Sequence, residues 1–314
     1  MPAISASAPG KIILFGEHAV VYGKPAVAIP VTEVKAKAIV MPAPGEPTGS
    51  IQIQAPEIEI DSPIKDLPLD HAIRKSVSLT LKELGIEHPP AFKLRVTSTI
   101  PLAAGLGSGA AVAVSIIQAV AGFMGRPLPD EKINQIAFEV EKIHHGTPSG
   151  IDNTVVTYAM PVYFVKGHPL ERLQVHTPFT IVIGNTGVVT PTAVAVADVR
   201  SAWQKDPNRY YEIFDACGQI AAAGRTALEN GDIASLGELM DQNQTWLERM
   251  GVSSPELEQL IHAAKHAGAL GAKLSGGGRG GNMIALVEEG QAQAVADALA
   301  TAGASSTIIT RVGK

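Results

Sequence analysis

The chain has 314 residues, 46% hydrophobic and 18% charged, enough apolar surface to bury a core and too few charges for a disordered polyampholyte. A net charge of −5 with no Lys/Arg-rich block excludes broad electrostatic binding of DNA or RNA, and 4% aromatic residues leave few faces for stacking single strands. At about 100–200 residues per domain the length predicts two domains or one large one, and any anion site has to be local.

Met1-Pro-Ala-Ile-Ser at the N-terminus lacks the basic-then-apolar layout of a signal peptide, which makes the cytoplasm the expected compartment. From Lys11 to Val40 the pattern is β-rich, interrupted by the turn-prone Tyr22-Gly-Lys-Pro25. Residues 42–50, rich in Pro and Gly, predict a hairpin-like loop before a strand from Ser50 to Gln54. Asp70 to Leu84 fits a helix with Ile73, Val77, Thr80, Leu81 and Leu84 on one face and Gly85 as its stop. Phe92 to Thr99 alternates as a strand. No charge occurs between Arg95 and Arg126, a span long enough to cross a bilayer at about 20 residues. Its Pro, Gly and Ser content and Gln118 decide against crossing, and it reads as strand, glycine loop and buried helix.

Asp130 opens a helix whose Ile133, Ile136, Ala137, Val140 and Ile143 keep helical spacing until Gly146 and Pro148. A strand pair is expected around 155–165 and a further strand at 180–184. Helices are expected at 193–204, 208–229, 232–249 and 255–268, followed by a second glycine loop. The lone Cys217 has no disulfide partner and no zinc spacing, so it reads as a small apolar helix residue. The chain closes with a strand at 283–287, a helix at 291–302 and a strand at 305–312.

Four runs carry chemistry. In Ala8-Pro-Gly-Lys-Ile-Ile-Leu-Phe-Gly-Glu-His18, Lys11 opens an apolar strand and Glu17 and His18 close it. A surface lysine before a glycine turn would give the same pattern, so this run alone leaves both readings open. In Ile100-Pro-Leu-Ala-Ala-Gly-Leu-Gly-Ser-Gly-Ala-Ala111, a glycine turn feeds a helix whose first amides lack partners, which makes an anion site. The run is neither a Walker A loop nor GxGxxG; a loop that merely packs a small-residue helix is its alternative. Glu141-Lys-Ile-His-His-Gly-Thr-Pro-Ser-Gly-Ile-Asp152 sets two carboxylates about a Pro/Gly turn, one suited to a cation and one to a reacting hydroxyl. Adjacent His144 and His145 diverge on a helix and do not make a zinc pair. Lys273-Leu-Ser-Gly-Gly-Gly-Arg-Gly-Gly281 ends an extended segment in a loop suited to lie beside a ligand or in solvent.

Taken in this order, the four runs resemble the GHMP family of small-molecule kinases over nearly the whole chain. His145-Gly-Thr-Pro-Ser-Gly-Ile-Asp152 is the piece characteristic of the branch that phosphorylates mevalonate. The resemblance implies an α+β two-domain fold. Residues 1–180 would form an ATP-binding domain like ribosomal protein S5 domain 2 and residues 181–314 a ferredoxin-like domain, with ATP and substrate in the cleft between them. It implies transfer of phosphate from ATP, with Mg²⁺, to the primary hydroxyl of mevalonate. A related hydroxy acid, phosphorylated mevalonate and a non-catalytic binding role are the alternatives. No nucleic acid or membrane is implied as a partner, and oligomeric state, a homodimer included, stays open.

By that resemblance Asp152 faces the reacting hydroxyl with Lys11 near it. Pro101, Ala104, Gly105, Leu106, Gly107, Ser108, Gly109 and Ala110 cradle the phosphates, and Gly276, Gly277 and Gly278 close over them. Ser108 and Glu141 hold Mg²⁺, while Glu17, His18, Ser149, Gly150 and Thr192 line the mevalonate side. The sequence departs from the family pattern at Gly109, where a second serine is usual, at Arg279, where glycine is usual, and at Thr190, where many relatives are basic. Arg279 could assist the phosphates or face solvent.

Overall fold

The strand β1 (Ile4–Phe15) begins with alternating burial and ends with six consecutive buried residues, Gly10 to Phe15, so its second half is covered on both faces. The computed structural model describes residues 2–101, 105–145, 148–169 and 171–313. The chain forms two compact units that interleave in sequence. The first takes Met1–Gly10, Val34–Leu102 and Gly107–Ala159; the second takes Lys11–Glu33, Ala103–Leu106 and Met160–Lys314. The change from one unit to the other thus falls inside β1 and again inside β2 (Ala26–Pro42).

In the first unit, β3 (Ile51–Ala55), β4 (Ile60–Pro63) and β5 (Phe92–Ser98) join β2 in the order β4-β3-β5-β2. β2 runs antiparallel to β5, with Ala36 opposite Ser98 and Pro42 opposite Phe92, and β3 runs parallel to β5. Alternation decides which face is buried: Phe92, Leu94 and Val96 point into the core, and Lys93 and Arg95 point out. That core also takes Ile73 and Val77 from α1 (Ala72–Glu83) and Ile116, Val120 and Phe123 from α2 (Ser108–Phe123). α2 is packed against α1, α3 (Asp130–His145) and α4 (Ile151–Tyr158), which is why its Ala, Val and Ile residues are apolar all round. No helix among the described residues is long and apolar enough to cross a membrane.

The strand pair expected at 155–165 is corrected. Residues 151–158 are helical, and only β6 (Val162–Phe164) is a strand there. The β-branched run Thr154 to Thr157 favours a strand locally. Gly150, in a left-handed conformation, starts the helix instead, and Val155 and Val156 are buried by its packing on α2 and α3. The Asn153 amide also donates to Asn134 Oδ1 at 2.5 Å, tying α4 to α3.

The second unit is built on an antiparallel sheet of β8 (Phe179–Asn185), β9 (Gly271–Ser275), β10 (Asn282–Val287) and β11 (Ser306–Val312), in the order β11-β8-β10-β9. Four helices join β8 to β9: α5 (Thr192–Lys205), α6 (Pro207–Asn230), α7 (Ile233–Met250) and α8 (Pro255–His266). α9 (Ala292–Thr301) joins β10 to β11. The path strand, helices, strand, strand, helix, strand is the ferredoxin-like pattern with an enlarged first crossover. Asp206, Asp232 and Ser254 cap α6, α7 and α8, accepting from the amides of Arg209, Ser235 and Leu257. In this unit β2 also pairs with β6, and β6 with β7 (Glu171–Arg172). Cys217 lies fully buried on α6, where burial pushes its thiol up to about 12 and leaves it unreactive.

Candidate active site

In the first unit, Gly107 caps α2 in a left-handed conformation, and Ala111 N–H donates to the Gly107 carbonyl at 3.0 Å. The amides of Ser108, Gly109 and Ala110 therefore stand in the first turn with no carbonyl one turn behind them. No side chain caps them and no acidic residue shares that turn. A helix start of this kind attracts an anion through its free N–H groups and its dipole. Asp152 stands half-buried in the first turn of α4, two residues after Gly150, and Ser149 Oγ accepts from Ile151 N–H at 3.4 Å. Glu141 is buried near the C-terminal end of α3. The mutual packing of α2, α3 and α4 brings together the helices that carry Ser108, Glu141 and Asp152. Ala104, Gly146 and Thr147 lie outside the described residues.

The second unit holds the other group. Lys11 is buried on β1, and its N–H donates to the Leu106 carbonyl at 2.9 Å, so the first motif is held against the loop residue just before Gly107. Leu106 is itself buried, whereas Gly105 is exposed with a positive φ. Beyond β1 the chain turns at Gly16 into Glu17 and His18, both buried. The His18 ring nitrogen Nε2 lies 2.9 Å from the Gly277 carbonyl oxygen. A carbonyl only accepts, so Nε2 carries the hydrogen and Nδ1 is the lone-pair nitrogen. That Nδ1 is buried and finds no partner among the described residues. Burial lowers the His18 pKa, which keeps the ring neutral, and the bond to Gly277 opposes this only in part.

Glu17 forms an ion pair with Lys273 of β9, and both side chains are 0% exposed. Burial pushes the Glu17 carboxyl up and the Lys273 ammonium down; their mutual attraction works against both shifts, and the charge of Lys11 also favours the carboxylate. Two residues on from Lys273, Ser275 Oγ accepts from Ile13 N–H at 3.1 Å and donates to the Ile13 carbonyl at 2.8 Å. The glycine run follows. A Cβ on Gly277 would come within 3.2 Å of Thr192 Oγ1, at the start of α5, so Gly277 and Thr192 are in close apposition. Gly278 has φ 73°, and a Cβ there would overlap the Val252 carbonyl oxygen. Only glycine suits that position.

The GHMP kinases N terminal domain model matches residues 71–160, and the GHMP kinases C terminal model matches residues 225–305. The chain is 36% identical to the mevalonate kinase of Pyrococcus horikoshii over 99% of its own length and 96% of the relative's. The chain belongs to the GHMP kinases. It is also 34% identical to the mevalonate kinase of Aeropyrum pernix, covering 93% of this chain and 90% of that one. Among solved structures, L. major mevalonate kinase in complex with R-mevalonate superposes with a TM-score of 0.85 at 29% identity, covering 98% of this chain and 95% of that one. Streptococcus pneumoniae phosphomevalonate kinase shares the fold, with a TM-score of 0.82 at 17% identity over 98% and 100% of the two chains.

Within this kinase fold two of the sequence departures acquire a definite place. Arg279 neither turns to free solvent nor remains unengaged: it pairs with Asp198 on α5 and donates through Nε to the Gly251 carbonyl at 3.3 Å. Its backbone carbonyl accepts from Thr190 Oγ1 at 2.8 Å. Thr190 therefore serves as a neutral clamp on the third motif. At Gly109 the missing side chain leaves Ser108 as the first turn's only hydroxyl. Lys273 is the residue that sequence reading quoted without a role. Its partner lies 256 positions away, and no local pattern signals such a pair.

Proposed function

We propose that the chain transfers the γ-phosphoryl group of ATP to the primary hydroxyl of mevalonate, giving 5-phosphomevalonate and ADP. The observation that carries this reading is the match of nearly the whole chain to mevalonate kinases at 36% identity. The family regions 71–160 and 225–305 fall one in each of the halves proposed as domains, 1–180 and 181–314.

Asp152 is proposed to orient the hydroxyl and accept its proton. A carboxylate has a reference pKa of about 3.9 and an alcohol resembles water at about 15.7, so full deprotonation before transfer would cost roughly 16 kcal/mol. In a loose phosphoryl-transfer transition state the hydroxyl need not ionise early, and the proton leaves late. Lys11 stabilises negative charge on the transferred group. The first-turn amides of α2 and the 276–278 glycines bind phosphate oxygens, and His18, Ser149, Gly150 and Thr192 bind mevalonate. Ser108 and Glu141 offer hard oxygen donors of the kind Mg²⁺ takes alongside phosphate and water. Among the described residues no three His, Cys, Asp or Glu side chains cluster as a metal cage, so these two residues with phosphate oxygens fit the ion better than an all-protein site would. When bound, Mg²⁺ neutralises charge on the phosphates. The test is mevalonate-dependent ADP release. Asp152→Asn is expected to keep ATP binding by calorimetry and to lose about 10²–10⁴-fold in kcat; turnover like that of the parent would remove Asp152 from the mechanism.

A further inference from the structure

Helix α4 is eight residues long and opens on Gly150, which has no side chain to cap the first turn. A helix this short is marginal by itself, so its rotation about its own axis is set by what it packs against. Asn134 of α3 makes that contact directional. Its Oδ1 accepts from the Asn153 amide at 2.5 Å, its backbone carbonyl accepts from the same amide at 3.4 Å, and its own Nδ2 donates to Thr154 Oγ1 at 3.4 Å. One residue thus holds two successive positions of α4, and the first of them directly follows Asp152. Asn134 also lies seven residues before Glu141, two turns away on the same face of α3.

Asn153 is 3% exposed, and because its Nδ2 faces two acceptors, its Oδ1 points away from them and finds no partner among the described residues. An apolar side chain would fill a buried position without that orphaned acceptor. What it would lack is a bond with a direction, which fixes one helix against another where packing of Val and Ile alone does not. A side-chain tip stands about 5–6 Å from a helix axis, so turning α4 by about 10° moves the Asp152 carboxylate by about 1 Å. A shift of that size costs about 10²-fold in turnover when the group has to meet a reacting atom.

We propose that Asn134 is a positioning residue for phosphoryl transfer: through Asn153 and Thr154 it fixes the rotation of α4 that aims Asp152 at the acceptor hydroxyl. Asn134 acts through α4 and touches neither ATP nor mevalonate. The inference rests on the function proposed above.

The experiment measures steady-state kinetics with ATP and mevalonate, and ATP affinity by calorimetry, on the full chain carrying Asn134→Ala or Asn134→Asp. Asn134→Ala removes both side-chain bonds. Its kcat per folded enzyme is expected to fall at least about tenfold, while the KM for mevalonate and the Kd for ATP move less than about threefold. A loss of packing alone would not split kcat from both affinities in this way. Asn134→Asp keeps an acceptor for the Asn153 amide, and Thr154 Oγ1, 3.5 Å from Oδ1, donates to it. Its kcat is expected to lie nearer the parent's than the alanine variant's on a logarithmic scale. A folded Asn134→Ala variant that keeps kcat within about tenfold, affinities that fall together with kcat, or an aspartate variant no better than alanine each overturns the proposal. Should Asn134→Ala fail to fold, Asn134→Leu, which fills the space without the bonds, is judged by the same marks. A parent chain without mevalonate-dependent ADP release strikes the underlying function; an active parent whose Asn134 variant keeps its kcat strikes the positioning role alone.

Discussion

At the scale of single residues, the third motif shows how a departure from a family pattern is absorbed. Arg279 has a left-handed backbone, uncommon for a residue with a Cβ, and its guanidinium is occupied by Asp198 and the Gly251 carbonyl. Arg279→Gly relieves the backbone, by about 1–2 kcal/mol, and removes a half-exposed ion pair worth about 1 kcal/mol or less, effects of opposite sign. The KM for ATP is therefore expected to change less than about threefold, and a tenfold rise would show that the guanidinium serves the phosphates. His18 gives a pH signature. Its folded pKa is lowered by burial, so between that value and the unfolded value near 6.5 the unfolded chain binds more protons. The stability it contributes is fully present above about pH 6.5 and is lost as pH falls below it, with a slope of up to about 1.4 kcal/mol per pH unit. In urea unfolding between pH 5 and 7, His18→Asn, which tolerates the positive φ, should flatten that slope, and an unchanged slope would exclude His18 as its source.

At the scale of elements, helix α6 approaches β1 so closely at Gly224 that a Cβ would overlap the Phe15 ring. Gly224→Ala gains helix propensity of about 1 kcal/mol but overpacks a fully buried aromatic. A net loss of about 1–2 kcal/mol in unfolding free energy is expected, and a stabilised variant would show that Phe15 relocates freely. Such contacts explain what was legible beforehand. Amphipathic helices such as α3 and the capped α6, α7 and α8 announce themselves through spacing and cap residues, and the alternation of β5 does the same for a strand. α4 did not, because its Thr and Val content favours a strand until burial against α2 and α3 is counted. The residues proposed to carry the chemistry, Lys11, Ser108, Glu141 and Asp152, stand out in the sequence because they sit in glycine-punctuated runs. The Glu17–Lys273 pair was hidden because it exists only after distant strands meet.

At the scale of the whole molecule, the core of the second unit includes Ala19 from the 3-10 turn after β1 beside Val182 of β8, Phe214 of α6, Leu247 of α7 and Met283 of β10. A fragment ending at residue 180 carries Ala19 without those partners. It is expected to bind an apolar dye strongly and to unfold without a sharp transition, and a cooperative thermal transition in that fragment would show that the early segment is satisfied without them. The passage of β1 and β2 from one unit to the other thus has a consequence for synthesis. Residues 11–33 leave the ribosome long before α6 and β9 exist, so Phe15 waits for Gly224 of α6 and Ile13 for Ser275 of β9 before the packing on this strand is complete. Apolar surface left uncovered in that interval favours aggregation, so slowing elongation within residues 192–266 is expected to lower soluble yield more than slowing it before residue 100.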